Sequence, residues 1–180
     1  MTIVITLPHF HDGEAQRIAE LLNSGKADLI HIRKPEATHE ETERLIREIP
    51  HELHSRLVLH DHYAIAQQYG LYGVHLNSRN TQPPQGWTGS VSRSCHTLDE
   101  VEHWKALCNY VSLSPICDSI SKQCYRSAFT TEQLRDAHRR GIIDERVYAL
   151  GGITFNNLHE VLSIGFGGAM ILGDAWKNHE

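Results

Sequence analysis

The stretch GVHLNSRN, residues 73 to 80, is typical of a buried strand that ends in a run of polar side chains. Side chains alternate between the two faces of a strand, so Val74 and Leu76 share one face while His75 and Asn77 share the other. The face with Val74 and Leu76 suits packing against helices, and the face with His75 and Asn77 suits a polar pocket. The stretch therefore predicts a sheet that collects functional side chains at one end of its strands.

Three other predicted strands divide in the same way. In DLIHIRK, residues 28 to 34, Ile30 and Ile32 face one way, and His31 and Arg33 face the other. The polar faces of the runs SVSRSCH and YVSLS carry Ser92, Ser94, His96, Tyr110, Ser112 and Ser114. Because these polar sets lie toward the carboxyl ends of the strands, where barrel enzymes hold their catalytic groups, we expect a ligand pocket there. Polar core residues that satisfy one another are the alternative.

Eight β-rich runs alternate with amphipathic segments, which is the pattern of βα units around a parallel sheet. The predicted strands are 3–7, 28–34, 56–60, 73–77, 90–95, 110–116, 147–152 and 169–173. The predicted helices are 13–22, 39–49, 63–69, 98–107, 131–140 and 156–164. We therefore expect residues 1–180 to form a single domain, a small (β/α)8 TIM barrel. A doubly wound open sheet of six or seven strands is the alternative.

Local signals refine this prediction. The runs from Thr97 to Glu100 and from Thr130 to Gln133 are capping boxes, which predict helix starts. The run TQPPQGWTG, residues 81 to 89, is too rich in Pro and Gly for a full helix, so we expect a short connection between strands four and five. The sequence reaches only just into an eighth helix, which predicts a truncated last helix.

Composition excludes several classes of protein. Hydrophobic residues make up 40% and charged residues 22%, and no apolar run approaches the roughly 20 residues that span a bilayer. The start MTIVITLPHF lacks a basic region and a cleavage site, so we expect a first strand and a cytoplasmic protein. The net charge of -5, with scattered basic residues, argues against nucleic-acid binding. Four cysteines without a CxxC pair, at 95, 108, 117 and 124, are expected to be reduced.

A pair of glycines suggests a phosphate site. In ALGGITFNN, residues 149 to 157, Gly151 and Gly152 end a strand just before a helix, for which Thr154 or Asn156 is the expected cap. Glycine lets the backbone approach a ligand, and a helix N-terminus favours an anion. Gly173 ends the next predicted strand. Because barrels frequently bind phosphate after strands seven and eight, these glycines predict phosphate binding.

The ordered set of motifs resembles one family. The runs HIRK (31–34), LHD (59–61), GVHLN (73–77), SRSCHTLDE (92–100), YVSLSPICDSISK (110–122) and LGGIT (150–154) are similar, in this order, to the thiamine phosphate synthase and TenI family of (β/α)8 barrels. The resemblance implies an enzyme of thiamine biosynthesis. The synthases join a pyrimidine methyl diphosphate to a thiazole phosphate with Mg²⁺, whereas TenI-like members tautomerise a thiazole carboxylate phosphate. A homodimer is also implied.

The resemblance assigns roles around the diphosphate and the metal. Arg33 matches an arginine that contacts the diphosphate, and Lys122 matches a lysine at the end of the loop after strand six. Asp61 matches one of two metal carboxylates. Ser94 matches a serine near the pyrimidine, and His96 matches the acid-base histidine of the tautomerase. Ser94, His96 and Lys122 are the residues that the resemblance implies act in catalysis. The remaining residues expected to bind substrate or phosphate are Gly151, Gly152, Gly173, His31, His60, His75 and Asn77.

The departures from the family pattern concern positive charge and metal binding. His31 stands where the strand-two motif has glutamine, and Pro35 stands where it has lysine. The run after strand three is His60, Asp61 and His62 in place of NDR, and the second metal carboxylate is Asn80. Mg²⁺ usually needs one or two carboxylates together with phosphate oxygens. We therefore expect a weakened Mg²⁺ site at Asp61, whereas a tautomerase would need no metal.

Four hypotheses remain open. The first is a TenI-like tautomerase in which His96 moves the proton, since histidine is the side chain most often used for proton transfer near neutral pH. The second is a thiamine phosphate synthase in which His60, His62 and Arg79 replace the lost charges. The third is a protein that binds thiazole phosphate without turnover. The fourth is a transition-metal centre, since imidazole suits such ions. Its candidate ligands are His31, His60, Asp61, His75 and His96.

Overall fold

The computed structural model describes residues 1–116 and 129–177. Eight parallel strands hydrogen-bond in chain order and close into a barrel, which confirms the predicted (β/α)8 fold. The strands are β1 (Thr2–Ile5), β2 (Leu29–Ile32), β3 (Leu57–Leu59), β4 (Gly73–Leu76), β5 (Ser90–Cys95), β6 (Tyr110–Leu113), β7 (Val147–Leu150) and β8 (Gly168–Ile171). The helices are α1 (Glu14–Asn23), α2 (His39–Glu48), α3 (Tyr63–Gln68), α4 (Leu98–Lys105), α5 (Thr131–Arg139), α6 (Leu158–Ile164) and α7 (Gly173–Trp176), with a 3-10 helix at His51–Arg56.

The chain divides into two compact units. Among the described residues, the N-terminal half consists of Thr2–Val91 with Trp176 and Lys177, and the C-terminal half consists of Met1 with those between Ser92 and Ala175. Within the N-terminal half β1 pairs with β2, β2 with β3 and β3 with β4, all in parallel. Within the C-terminal half β5 to β8 pair in the same sequential way. Each half therefore carries four consecutive parallel strands.

Most strands are buried on both faces. Every residue of β2, β3, β4, β6 and β8 is buried. Such strands are typical of parallel sheets whose outer face is covered by helices. Polar residues on the inner faces, such as His31, His75 and Ser112, are thereby removed from water. The predicted strands run up to three residues too far at the carboxyl end, as residue 116 against Leu113 in β6 shows.

Capping boxes set several helix starts. Thr97 with Glu100 and Thr130 with Gln133 both form the predicted reciprocal hydrogen bonds. A third box, Thr38 with Glu41, opens α2 and was not predicted. In each box the hydroxyl oxygen accepts from a backbone N–H that has no partner inside the helix. Two side chains three positions apart thus fix where each of these helices begins.

The predicted cap of α6 is wrong. The N-cap is Asn157, not Thr154 or Asn156, and α6 begins at Leu158. The Thr154 backbone N–H donates to Asn157 Oδ1 at 2.8 Å, and the Asn157 backbone N–H donates to Thr154 Oγ1 at 3.2 Å. These two hydrogen bonds close a separate turn between the glycine pair and the helix, so the helix starts later than its sequence signal.

The two expected irregularities are present. Residues 77–89, all of which the structure describes, contain no helix between β4 and β5, and α7 spans only four residues. Trp176 at the end of α7 is fully buried, and its Nε1 donates to the carbonyl oxygen of Ile5 at 2.7 Å. Among the described residues, no helix combines the length and the apolar character that crossing a bilayer requires.

A buried ion pair ties β2 to α1 in the N-terminal half. The Nζ of Lys34 donates to both carboxylate oxygens of Glu14, at 2.6 and 2.8 Å. It also donates to the carbonyl oxygens of Leu7 and His9, at 2.9 and 2.7 Å. Both charged side chains are 2% exposed. Lys34 therefore holds the loop after β1 and the start of α1 in place.

Replacing Lys34 by Met should lower the free energy of unfolding by about 3–5 kcal/mol, the usual cost of removing one partner from a buried ion pair. Glu14 would remain buried without a cation, and the carbonyl oxygens of Leu7 and His9 would lose their donor. Urea denaturation of the purified variant measures the loss.

Lys105 provides a matched control in the C-terminal half. Its Nζ donates to the carbonyl oxygens of Gly141 and Ile142 and to Asp144 Oδ2, at 2.7, 2.8 and 2.8 Å. The Asp144 side chain is 26% exposed, so Lys105→Met should cost less than Lys34→Met. Equal losses in the two variants would contradict burial as the cause of the difference.

Candidate active site

Three imidazoles form a buried cluster in the N-terminal half. His31 lies in β2, His60 directly follows β3, and His75 lies in β4; they are 0%, 7% and 3% exposed. His31 Nδ1 and His60 Nε2 lie 3.0 Å apart, which is a hydrogen bond with one ring N–H between them. The His60 and His75 rings stack with centroids 4.2 Å apart. We call this group the histidine cluster.

The strand register brings the cluster together. Leu59 pairs with Val74, so the next residues, His60 and His75, become neighbours on the same side of the sheet. His31 pairs with Val58 one strand away, and alternation points His31 and His60 to the same face. Three polar residues, on β2, on β4 and directly after β3, thus converge because of the strand register.

Burial favours the uncharged forms of His31 and His60. The pKa values of His31 and His60 lie well below the ordinary 6.5, first because of burial and next because of repulsion from His75. His31, Arg33 and Arg79 lower the pKa of His60 further. Neutral imidazoles can accept a hydrogen bond, donate one or bind a metal.

Asp61, next to the histidine cluster, is held by an arginine. Arg79 Nη2 donates to both carboxylate oxygens of Asp61, at 3.0 and 2.9 Å, and Arg79 Nε donates to Oδ1 at 3.2 Å. Asn80 Nδ2 donates to the same Oδ1 at 2.9 Å. The Asp61 side chain is 13% exposed and that of Arg79 is 56% exposed. A guanidinium and an amide therefore surround the carboxylate expected to bind metal.

Asn77 shapes the loop that delivers Arg79 and Asn80. Its Oδ1 accepts from the backbone N–H groups of both residues, each at 2.9 Å. Its Nδ2 donates to the carbonyl oxygen of His60, and its backbone N–H donates to the carbonyl oxygen of Asn80 at 3.0 Å. Such a side-chain turn is typical of Asn. The role that these contacts assign to Asn77 is to order the loop around Asp61.

The described residues do not fit Mg²⁺ at Asp61. Both carboxylate oxygens accept hydrogen bonds from Arg79, and Asn80 presents an N–H where the family pattern has a second carboxylate. Mg²⁺ requires oxygen ligands and commonly uses carboxylates. The hydrogen bonds from Arg79 and Asn80 therefore take up lone pairs of Asp61 that a cation would otherwise bind.

The C-terminal half carries the serine and histidine expected to act in catalysis. Ser94 pairs with Ser112 across β5 and β6, and the Ser112 hydroxyl lies 3.1 Å from that of Ser94. His96 is exposed, and its Nδ1 lies 3.2 Å from both the carbonyl oxygen and the hydroxyl of Ser114. A proton on Nδ1 would be donated to that carbonyl, which leaves Nε2 as a base. The sequence did not predict the contact between Ser114 and His96.

The glycine pair after β7 is required by the backbone. Gly151 and Gly152 have positive φ angles of 101° and 63°. A Cβ on Gly151 would lie 3.1 Å from the Cα of Pro115, which is tighter than normal contact. A Cβ on Gly173 would meet no atom within 4 Å, so packing does not require glycine there. The loop after β7 can therefore bring its backbone close to a ligand.

Lys122, Cys117 and Cys124 lie outside the described residues. Cys95 and Cys108 are free and buried, as expected for reduced thiols. Arg33 is exposed directly after β2. Within the N-terminal half the structure brings together His31, His60, His75, Asp61 and Asn77 with Arg79 and Asn80; within the C-terminal half it brings together Ser94 with Ser112 and His96 with Ser114.

Comparisons with known proteins agree on one family. The family described as thiamine monophosphate synthase matches residues 2–173. A crystal structure of thiamine phosphate pyrophosphorylase from Bacteroides thetaiotaomicron is 41% identical, with a TM-score of 0.89 over 99% of this chain and 86% of that chain. Thiamine-phosphate synthase of Flavobacterium johnsoniae is 24% identical over 94% of this chain and 85% of its own length. That of Listeria welshimeri is 27% identical over 64% of this chain and 58% of its own length.

The free energy of unfolding should fall as the pH drops below about 6.5. In that range His31 and His60 bind protons in the unfolded chain but remain unprotonated in the folded protein. Because both folded pKa values are lowered, this stabilisation is complete above the unfolded pKa and is lost as the pH falls toward the folded values. Urea denaturation between pH 5 and 8, with a chelator present to exclude metal, measures the slope.

His31→Gln should flatten this pH dependence, because one buried imidazole is replaced by a side chain that does not titrate. His159, which is exposed on α6, provides the control, and His159→Gln should leave the slope unchanged. An unaltered slope in His31→Gln would show that the histidine cluster is not its source.

Proposed function

We propose, since the chain belongs to the thiamine monophosphate synthase family, that it forms thiamine phosphate from a pyrimidine methyl diphosphate and a thiazole phosphate. The names of the relatives support this reaction. The matched crystal structure is of a thiamine phosphate pyrophosphorylase, and the curated relatives are thiamine-phosphate synthases. The bond between the pyrimidine methylene and the diphosphate breaks, and a bond between that carbon and the thiazole nitrogen forms.

The Arg79–Asp61 pair is the observation that carries the proposal. Breaking the bond leaves negative charge on the departing diphosphate, and fixed positive groups that meet developing charge are usually the largest contribution to catalysis. Arg79 is held on Asp61 by three hydrogen bonds and is still 56% exposed. Arg33 follows β2 and is also exposed. These two guanidinium groups would stabilise the leaving diphosphate.

The thiazole phosphate would bind the loop after β7. The backbone N–H groups of Thr154 and Phe155 already donate to Asn157 Oδ1 and Asp174 Oδ2, at 2.8 and 2.9 Å. This leaves the glycine pair, Gly151 and Gly152, as the part of the loop that meets the phosphate. Ser94 keeps its expected role near the pyrimidine, and Lys122 keeps its expected role in catalysis, as part of this proposal.

Arg79→Ala should lower kcat for thiamine phosphate formation by roughly 100-fold or more, in the range observed when one donor to developing charge is removed. Product formation from both substrates, followed by chromatography with and without Mg²⁺, measures the rate. The wild-type protein should turn over in the presence of a chelator, because Asp61 and Asn80 do not fit Mg²⁺.

Arg139 is the matched control, because it also forms an exposed pair with an aspartate, Asp136, at 3.0 Å. Arg139→Ala should leave kcat unchanged. If Arg79→Ala retains the full rate, or if the wild-type protein strictly requires Mg²⁺, the guanidinium is not what stabilises the leaving group.

A TenI-like tautomerase is the second candidate. The geometry around His96 favours it, because Ser114 can hold Nδ1 while the ring remains exposed, and proton transfer needs no metal at Asp61. His96 would remove a proton from the thiazole carboxylate phosphate at one carbon and return it at another. A positioned acid-base group typically contributes about 10²- to 10⁴-fold to the rate.

His96→Gln should abolish solvent-proton exchange into thiazole carboxylate phosphate while leaving its binding intact. Exchange in deuterated water, followed by NMR, provides the measurement. His103, exposed on α4, supplies the control variant His103→Gln, which should exchange at the wild-type rate. Exchange that persists in His96→Gln would remove the proposed mechanism, and binding without either reaction would favour a non-catalytic protein.

A further inference from the structure

We propose that the histidine cluster binds one transition-metal ion, best matched by Zn²⁺, with one coordination position left for an anionic oxygen. The site goes beyond the proposed function and does not depend on which reaction the protein catalyses. One ring nitrogen from each of His31, His60 and His75 lies within 4.8 Å of the other two. Among the described residues, this is the only set of three or more His, Cys, Asp or Glu side chains that meets in this way.

The spacing is close to that of a metal site. Zinc binds histidine nitrogens at about 2.0–2.1 Å, which places two such nitrogens about 3.3 Å apart in a tetrahedral site. His31 Nδ1 and His60 Nε2 are already 3.0 Å apart. The third nitrogen already lies within 4.8 Å of the other two, so closing the site requires ring movements of at most about 1–2 Å. The Cα atoms of His31 and His75 are fixed by β2 and β4, so the approach of the rings is preorganised.

The chemistry of the cluster suits a borderline-soft cation. Imidazole nitrogen is a preferred ligand of zinc, copper and nickel, whereas Mg²⁺ and Ca²⁺ prefer oxygen. In the metal-bound form the hydrogen between His31 and His60 would be lost from that contact, and each ring would carry its proton on its other nitrogen. Three histidines with an open fourth position are typical of catalytic zinc sites.

The surroundings indicate what fills the open position. Arg33 lies two residues after His31, just past the end of β2, and Arg79 binds Asp61, the residue after His60. Two guanidinium groups and one carboxylate leave net positive charge beside the cluster, and a divalent ion adds to it. An anionic oxygen, such as that of phosphate, is the fourth ligand that this charge favours.

Zn²⁺ alone, titrated calorimetrically into chelator-treated protein, should bind with one ion per chain. Co²⁺ should give the visible bands of a four- or five-coordinate ion, and X-ray absorption should show three nitrogen ligands. Inorganic phosphate should change the Co²⁺ spectrum. His31→Gln, His60→Gln and His75→Gln should each weaken Zn²⁺ binding by about 100-fold or more, since even outer partners of metal ligands contribute 10- to 100-fold.

His39 provides the control, because its ring also faces another imidazole, that of His62, with centroids 6.0 Å apart in the same half. His39→Gln should bind Zn²⁺ as the wild type does. Binding that survives all three cluster variants, or Co²⁺ with fewer than three nitrogen ligands, would overturn the site. Where a variant does not fold, X-ray absorption of the wild-type Co²⁺ protein decides. If phosphate leaves the Co²⁺ spectrum unchanged, the proposal that an anionic oxygen binds the fourth position is wrong.

Discussion

Burial of the barrel strands on both faces constrains every polar group inside the N-terminal half. A polar side chain on the inner face of β2 or β4 cannot reach bulk water, and leaving it without a partner would cost about 1–3 kcal/mol. His31, His60 and His75 meet this constraint by contacting one another, through a hydrogen bond and a ring stack. The arrangement that gives these buried polar groups their partners also concentrates imidazole nitrogens at the carboxyl ends of the strands.

Burial also distinguishes two ion pairs of the N-terminal half, Lys34 with Glu14 and Arg79 with Asp61. The side chains of Lys34 and Glu14 are both 2% exposed, so their charges pair with each other, hold the loop after β1 and cannot reach a ligand. Arg79 binds Asp61 with comparable geometry, yet more than half of its side chain faces solvent. A buried cation of the first kind serves the fold, whereas a fixed, exposed cation of the second kind remains available to a ligand. Burial and not residue type therefore decides which charge belongs to the site.

Features that depend on neighbouring residues could be predicted from the sequence. Strand alternation placed His31 and His75 on one face, and the capping boxes at Thr97 and Thr130 marked helix starts. The contacts of the loop after β4 could not be predicted. Asp61 matched a metal carboxylate, but its oxygens are bound by Arg79, 18 residues later, because of a turn that Asn77 orders. The start of α6 was missed because a competing turn precedes it.

Trp176 gives this molecule a built-in optical reporter. Of the three tryptophans in the chain, it is the one that is fully buried, since Trp87 and Trp104 are both partly exposed. An indole in an apolar environment emits at shorter wavelength than one in water. The Nε1 hydrogen bond to Ile5 couples that emission to the position of the first strand. A red shift in fluorescence would therefore report the separation of Trp176 from β1.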